Sequence, residues 1–354
     1  MNYLNFILLG ILVFSLILDY LFMISNKNSF QIVKDMGIGY NLGNTFDNYN
    51  FTKEINTPEE QITLNGNTLP TKSMIKKIKR YGFKTIRLPV TWMFFMDDYG
   101  NINSEWMLCV KEVVDIIVNA DLYCILNIQN DGIYGSWLSF GMEVKDIYTN
   151  IWTQIANEFK DYNEHLIFES MNEIYFFDFW TYSFDYNTLF NLSQAFVDTI
   201  RNSGGYNMQR LLIVAGANSN LDLTCSSDYK IPIDPSNKLA VSINYYNPTR
   251  FTKEYYFEPY SWIDYDGVEY YYAPTLSWGN SEEYFQIITD FEMMKNTFVD
   301  KGIPVIINEV GVFTEQKKEI ESIENIYMWC FQFLQILMEL CPAYGILQTK
   351  YLEI

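Results

Sequence analysis

The stretch Leu166–Ile174, "LIFESMNEI", closes an apolar run on an amide and an acid side by side, Asn172–Glu173. A second stretch, Ile303–Gly311 "IPVIINEVG", closes the same way on Asn308–Glu309. Both runs are short, apolar and bounded by polar segments, as strands buried on both faces are. A buried carboxylate costs free energy unless it is paired, so two strands ending this way need a reason. Met once, the pattern reads as the first solvated residue past a strand, because glutamate is usually exposed. Met twice, it asks which fold brings two strand ends to one place.

Outward from these two stretches the same Ile/Val/Leu-rich pattern recurs. Strands are expected at 37–44, 85–92, 122–130, 165–173, 211–218, 239–247, 304–311 and, more weakly, 344–352. Between them lie helical periods. In 104–120 Val110, Val113, Val114 and Ile117 share a face behind a Ser104 cap, and in 145–161 Ile147, Ile151, Ile155 and Phe159 do the same. Eight strands with intervening helices predict an α/β fold, a (β/α)8 TIM barrel. With 354 residues, 49% of them hydrophobic, the chain can bury one large core. No Pro-rich linker, repeat of fixed period or low-complexity block divides it, so residues 31–354 read as a single domain. A net charge of −19 argues against nucleic acid as a partner, since phosphate backbones are met by an excess of Lys and Arg.

Residues 3–24, "YLNFILLGILVFSLILDYLFMI", stand apart. They are almost continuously apolar with Asp19 the only charge, long enough to span a bilayer. No Lys or Arg precedes the run, and no Ala-x-Ala pattern follows it. Residues 1–26 therefore read as a signal peptide or a membrane anchor, which addresses the chain to the extracellular space or the cell surface and confines any membrane contact to this segment. The five cysteines include no CxxC pair, so no structural zinc is expected.

In such a barrel the reactive residues sit at the carboxyl ends of the strands. Glu173 and Glu309 end the fourth and seventh, Arg87 lies on the second and Asn44 ends the first. The only histidine, His165, opens the fourth strand at the opposite end, which removes Ser-His-Asp catalysis and His-ligated zinc. No glycine-rich phosphate loop is present. No metal and no cofactor are expected. The reaction left for two carboxylates in one barrel mouth is glycoside hydrolysis, in which one protonates the leaving oxygen and the other attacks the sugar or activates water.

At these residues the chain resembles glycoside hydrolase family 5, the cellulase family. The resemblance runs from about residue 31 to about residue 346 and is carried by "GIGYNLGNTFD", "GFKTIRLPVTW", "LNIQNDG", "HLIFESMNEI", "AFVDTIRNSGG", "VSINYYNP" and "GIPVIINEVG". It implies a retaining enzyme with Glu173 as general acid/base and Glu309 as nucleophile. It also implies that Asn172 bonds the sugar 2-hydroxyl, that Arg87 supports the nucleophile and that Tyr246 donates to it. A retaining mechanism places the carboxyl groups roughly 5–5.5 Å apart. At that range an ionised Glu309 favours a protonated Glu173, and Arg87 keeps Glu309 charged.

The chain also departs from the family. Gln129–Asn130 stand where the family ends its third strand in two histidines, and Asn244-Tyr245-Tyr246 where it has His-x-Tyr. Amides still donate and accept hydrogen bonds but carry no proton near neutral pH. Ile174 replaces the usual proline after the acid/base. The family's last strand ends in a Trp that floors the sugar site; here Tyr351 takes that place and the closing helix is absent, an atypical or incomplete eighth unit. The aromatic stretch 255–278 suits stacking on sugar rings, with Trp278 its foremost candidate and Trp137, after the third strand, a second platform. The expectation is a monomeric, secreted or anchored cellulase-like glycosidase acting on β-1,4-glucan, with reduced turnover. The alternative is a barrel that binds β-glucan without cleaving it. Mannan or xylan as substrate would change only the subsites.

Overall fold

The computed structural model describes residues 27–49, 55–132, 136–178, 183–252, 260–263, 269–272, 280–311 and 345–347. Eight parallel strands close into a barrel: β1 Ile38–Asn41, β2 Thr85–Leu88, β3 Tyr123–Asn127, β4 Leu166–Glu169, β5 Leu212–Ala215, β6 Leu239–Tyr245, β7 Val305–Val310 and β8 Gly345–Leu347. Each strand neighbours the next in sequence, and β8 joins β7 to β1 through Ile307↔Ile346 and Ile38↔Ile346. The fold class expected from the sequence is thus the fold observed. Every expected strand has a counterpart, and on β1 to β4 the strand is shorter than the apolar run that announced it because the residues at the run's carboxyl end leave the ladder.

The helices wrap this barrel. Val110, Val113, Val114 and Ile117 of helix Ser104–Asn119 are buried, as their spacing requires. Fully burying such a side chain contributes about 1.5–3 kcal/mol. The cap of that helix is Asn103 rather than Ser104: its side chain accepts the backbone N–H groups of Glu105 and Trp106. Ser104 is one residue too late, already inside the helix. In helix Lys145–Phe159 Ile151, Ile155 and Phe159 are buried and Ile147 is half-buried.

Inside the barrel, period-two alternation sorts the residues. Ile125, Ile167, Ile213, Ala240 and Ile306 form one apolar cluster, and Ile32, Val33 and Met36 of helix Ser29–Met36 join it. Two residues further along four of those strands the same inward face carries Asn127, Glu169, Ser242 and Asn308. On the first two strands the alternation gives Asn41 and Arg87. An apolar floor therefore carries a buried polar layer, and the mouth stands on that layer. Among the described residues no helix is long and apolar enough to cross a membrane. The leader 1–26, the side chains of 255–278 with Trp278, and Tyr351 lie outside the described residues.

Candidate active site

Arg87 is the centre of the polar layer. It is buried and donates in five directions. Its Nε reaches Glu169 Oε2 at 2.7 Å and its Nη2 reaches Glu169 Oε1 at 3.2 Å, a two-pronged ion pair. Its Nη1 bonds Asn41 Oδ1 at 3.3 Å and Glu309 Oε1 at 3.3 Å. Nη2 also bonds Gln129 Oε1 at 3.1 Å and Asn172 Oδ1 at 3.0 Å. Arg87 thus reaches Glu309 as expected, but its nearer carboxylate is Glu169, a residue the sequence reading did not select. Burial lowers the guanidinium's pKa, yet the charges of Glu169 and Glu309 more than offset this and hold it above its ordinary value. For Glu169 burial wins: it pushes the carboxyl up against the pull of Arg87. Asn308 Nδ2 and Ser242 Oγ, the latter at 3.4 Å, also bond Glu169 Oε1.

Glu309 sits in β7 beside a register shift. Ile307 pairs with Ile243 and Glu309 with Asn244, so Asn308 is the extra residue of a β-bulge. The bulge explains the first half of the puzzle set by the paired motifs. In a regular strand Asn308 and Glu309 would face opposite sides; here Asn308 turns to Glu169 while Glu309 turns to Arg87. Tyr246 Oη donates to Glu309 Oε2 at 2.8 Å and Gln129 Nε2 to Oε1 at 3.3 Å.

Glu173 reaches the mouth differently. The strand ends at Glu169, and Glu173 adopts a left-handed backbone with φ 47°. That reversal lets Asn172 point at Arg87 while Glu173 points at β6, where Asn244 Nδ2 donates to its Oε1 at 2.7 Å. Asn244 also touches Asn172 Oδ1 at 3.4 Å. Glu173 is exposed where Glu309 is buried. The two carboxyls are therefore held by Asn244, near the end of β6, and Tyr246, the residue just past it. A cavity of about 400 Å³ opens beside Glu173, lined among others by Asn218, Ser219, Asp222, Asn244 and Tyr246.

Glu173, Glu309, Arg87, Gln129, Asn172, Asn244 and Tyr246 are thus brought together, and two candidates are not. Asn44 lies in the turn past β1 with φ 56°, where its carbonyl accepts from Asn48 at 3.1 Å and from Asn67 at 2.5 Å. The amide that reaches Arg87 from β1 is Asn41. Asn130 turns its Nδ2 to the carbonyl of Asp47 and, among the described bonds, makes none to either carboxylate. Trp137 is half-buried and tied through Nε1 to Asp131 Oδ1 at 2.8 Å; burial pushes that carboxyl up to about 6. His165 stays at the opposite end, its ring 4.4 Å from that of Tyr123. Of the residues not selected, Asn41 and Glu169 had a signal: each lies two places beyond an inward position of its strand.

The chain is similar to known proteins over most of its length. The profile of the cellulase family, glycosyl hydrolase family 5, matches residues 46–339. The chain is 49% identical to the solved structure of a GH5-4 broad specificity endoglucanase from an uncultured bovine rumen ciliate, with a TM-score of 0.85 over 92% of this chain and 89% of that one. It is 35% identical to Endoglucanase A of Paenibacillus barcinonensis over 84% of this chain and 76% of the relative. With Endoglucanase A of Clostridium longisporum it shares 35% identity over 81% of its own length but only 54% of the relative's.

Proposed function

The chain belongs to the cellulase family, glycosyl hydrolase family 5, and on that footing we propose that it is a glycosidase that cuts β-1,4-glucan within the chain, with retention of anomeric configuration. In this reading Glu309 attacks the anomeric carbon and forms a glycosyl ester. The bond to the leaving oxygen breaks, and its electron pair takes the proton of Glu173. Glu173 then removes a proton from the water that displaces Glu309. Arg87, Gln129 and Tyr246 hold the Glu309 carboxylate in one orientation with three donors. Asn172, its Oδ1 occupied by Arg87, is left to donate its N–H to the sugar 2-hydroxyl. The observation that carries the reading is Asn244 near the end of β6 and Tyr246 just past it, the first on Glu173 and the second on Glu309, which hold two carboxyls of contrasting burial at one mouth.

One observation favours a second reading, binding of β-glucan without cleavage. The groups at Glu173 and Glu309 where the family pattern has imidazoles are the amides of Asn244 and Gln129, which cannot relay a proton. One experiment separates the two. The full-length protein is incubated with soluble β-1,4-glucan, reducing ends are counted, and the first product anomer is read by NMR. We expect slow release with the β-anomer first. Release no greater than that of Glu309→Gln would sink the enzyme reading, and cello-oligosaccharide binding by that same protein would then support the binder. The α-anomer appearing first would replace retention by inversion. Mannan and xylan assayed alongside test the subsites. The leader 1–26 supports a secreted or anchored enzyme, and we expect it to act as a monomer.

A further inference from the structure

Three non-glycine residues with left-handed backbones gather on one side of the mouth. Glu173 has φ 47°, Asn218 φ 50° and Ser219 φ 48°. Asparagine tolerates that region; glutamate and serine rarely adopt it, and residues held there cluster at working sites. The two loops involved, after β4 and after β5, meet at one hydrogen bond. The backbone N–H of Glu173 donates to Ser219 Oγ at 3.2 Å.

Ser219 is a fixed point. It is buried, and its own N–H donates to the carbonyl of Gly216 at 3.0 Å. Gly216 in turn donates to the carbonyl of Ser242 on β6 at 2.8 Å. A Cβ at Gly216 would stand 2.3 Å from Thr224 Oγ1 and 2.7 Å from the Ser242 carbonyl, so the loop lies against β6 as closely as a backbone can. Thr224 Oγ1 closes the loop on the carbonyl of Asn220. The Glu173 side chain, by contrast, is exposed and has only Asn244 to orient it among the bonds described above. Its aim depends on its backbone.

We propose that Ser219 is a positioning residue for proton transfer by Glu173, its hydroxyl locking the left-handed turn that aims the carboxyl at the leaving oxygen. This rests on the reading of Glu173 as the acid. It places the effect on one half of the reaction: the proton a sugar leaving group needs and a nitrophenolate does not.

The test compares kcat/KM, which reports the first chemical step, for cellotetraose and for dinitrophenyl β-cellobioside. Ser219→Ala removes the hydroxyl. Ser219→Gly removes it while suiting the left-handed backbone, and so keeps the test intact should the alanine variant fail to fold. We expect both variants to lose ~10- to 100-fold on cellotetraose, part of what general acid catalysis contributes, and to stay within about threefold on the dinitrophenyl substrate, with KM unchanged. An equal loss on both substrates would make Ser219 merely structural and overturn the proposal, as would no loss on either. A parent protein that turns over neither substrate would remove the activity reading and this inference with it. A parent active on both, with variants that match it, removes only this inference.

Discussion

Asn172–Glu173 and Asn308–Glu309 share two letters and differ in how the backbone presents them. The first pair lies beyond the end of β4, where a left-handed residue reverses the chain and leaves the carboxylate exposed against a neutral amide. The second lies within β7, where a bulge inserts Asn308 and leaves the carboxylate buried against a guanidinium, an amide and a phenol. A strand alternates its side chains, so two consecutive residues reach one side only if the strand stops or slips. This barrel does each once. A carboxyl on a turn can move toward a substrate oxygen; a carboxylate clamped by three donors inside a strand cannot, and suits attack along one line.

The largest effect that could break this contrast is on the carboxylates themselves. Glu309→Gln is expected to lower kcat/KM by at least ~10³-fold on cellotetraose and on dinitrophenyl β-cellobioside alike, as loss of a nucleophile does. Glu173→Gln is expected to lose ~10²- to 10⁴-fold on cellotetraose and to keep most of its kcat/KM on the activated substrate. Steady-state kinetics on the two substrates measure both. Equal losses for the two variants on the activated substrate would mean that the different settings do not carry different roles.

Next in size is the residue under both pairs. Glu169 bonds Arg87 with two prongs, and Arg87 reaches both Asn172 and Glu309. Truncating one partner of a buried ion pair costs about 3–5 kcal/mol, so Glu169→Ala should show that loss in urea unfolding. The pH dependence isolates the charge. Burial raises the Glu169 carboxyl above its unfolded value, so the unfolded chain ionises first. Stability from this group is then complete below the ordinary carboxylate range and falls as pH rises through the raised value. Glu169→Gln carries no such slope, and its deficit against the parent should narrow with rising pH. A widening deficit would mean that Arg87 outweighs burial at Glu169.

Much of this was legible in the sequence, and the reason is periodic. Apolar runs at regular spacing gave eight strands, and the acids closing two of them gave the mouth. What escaped was local. Glu169 looked like one more residue of an apolar strand, although Ile167 two places earlier faces the interior and fixes its direction. Ser219 carries no sequence signal, because a left-handed serine is set by the loop around it. Asn44 closes the run as written, but the ladder ends at Asn41 and the chain turns before Asn44. Gln129–Asn130 were read as a pair, yet adjacent residues leaving a strand diverge, and only Gln129 turns inward.

That divergence gives the third test. Gln129 donates to Glu309 and accepts from Arg87 and Asn127. A hydrogen bond to a charged group contributes about 1.5–3 kcal/mol, roughly 10- to 100-fold in rate. Gln129→Ala should lose that much in kcat/KM. Asn130→Ala, which removes a bond to the Asp47 carbonyl, should change kcat/KM by no more than about threefold and stability by about 1 kcal/mol. Histidine placed singly at the two positions sharpens the point: a change in the pH profile is expected from Gln129→His and not from Asn130→His. The reverse result would put Asn130 in the mouth.

The smallest effect concerns the bulge that separates the second pair from the first. Asn41 Nδ2 donates to the carbonyl of Asn308 at 2.8 Å, and its Oδ1 accepts from Arg87 at 3.3 Å. The inserted residue of the bulge is thereby tied to β1 as well as to Glu169. Asn41→Ala withdraws that donor from a buried carbonyl, which costs about 1–3 kcal/mol, and frees the bulge to shift, so kcat/KM should fall a few-fold, by ~2 to 5. Asn44→Gly changes a residue already in the left-handed region and removes no described side-chain bond, so both stability (within about 0.5 kcal/mol) and turnover should hold. Urea unfolding and cellotetraose kinetics on the two variants decide between the two asparagines. If Asn44→Gly lost activity while Asn41→Ala kept it, the turn past β1 would touch substrate and the bulge would stand without its brace.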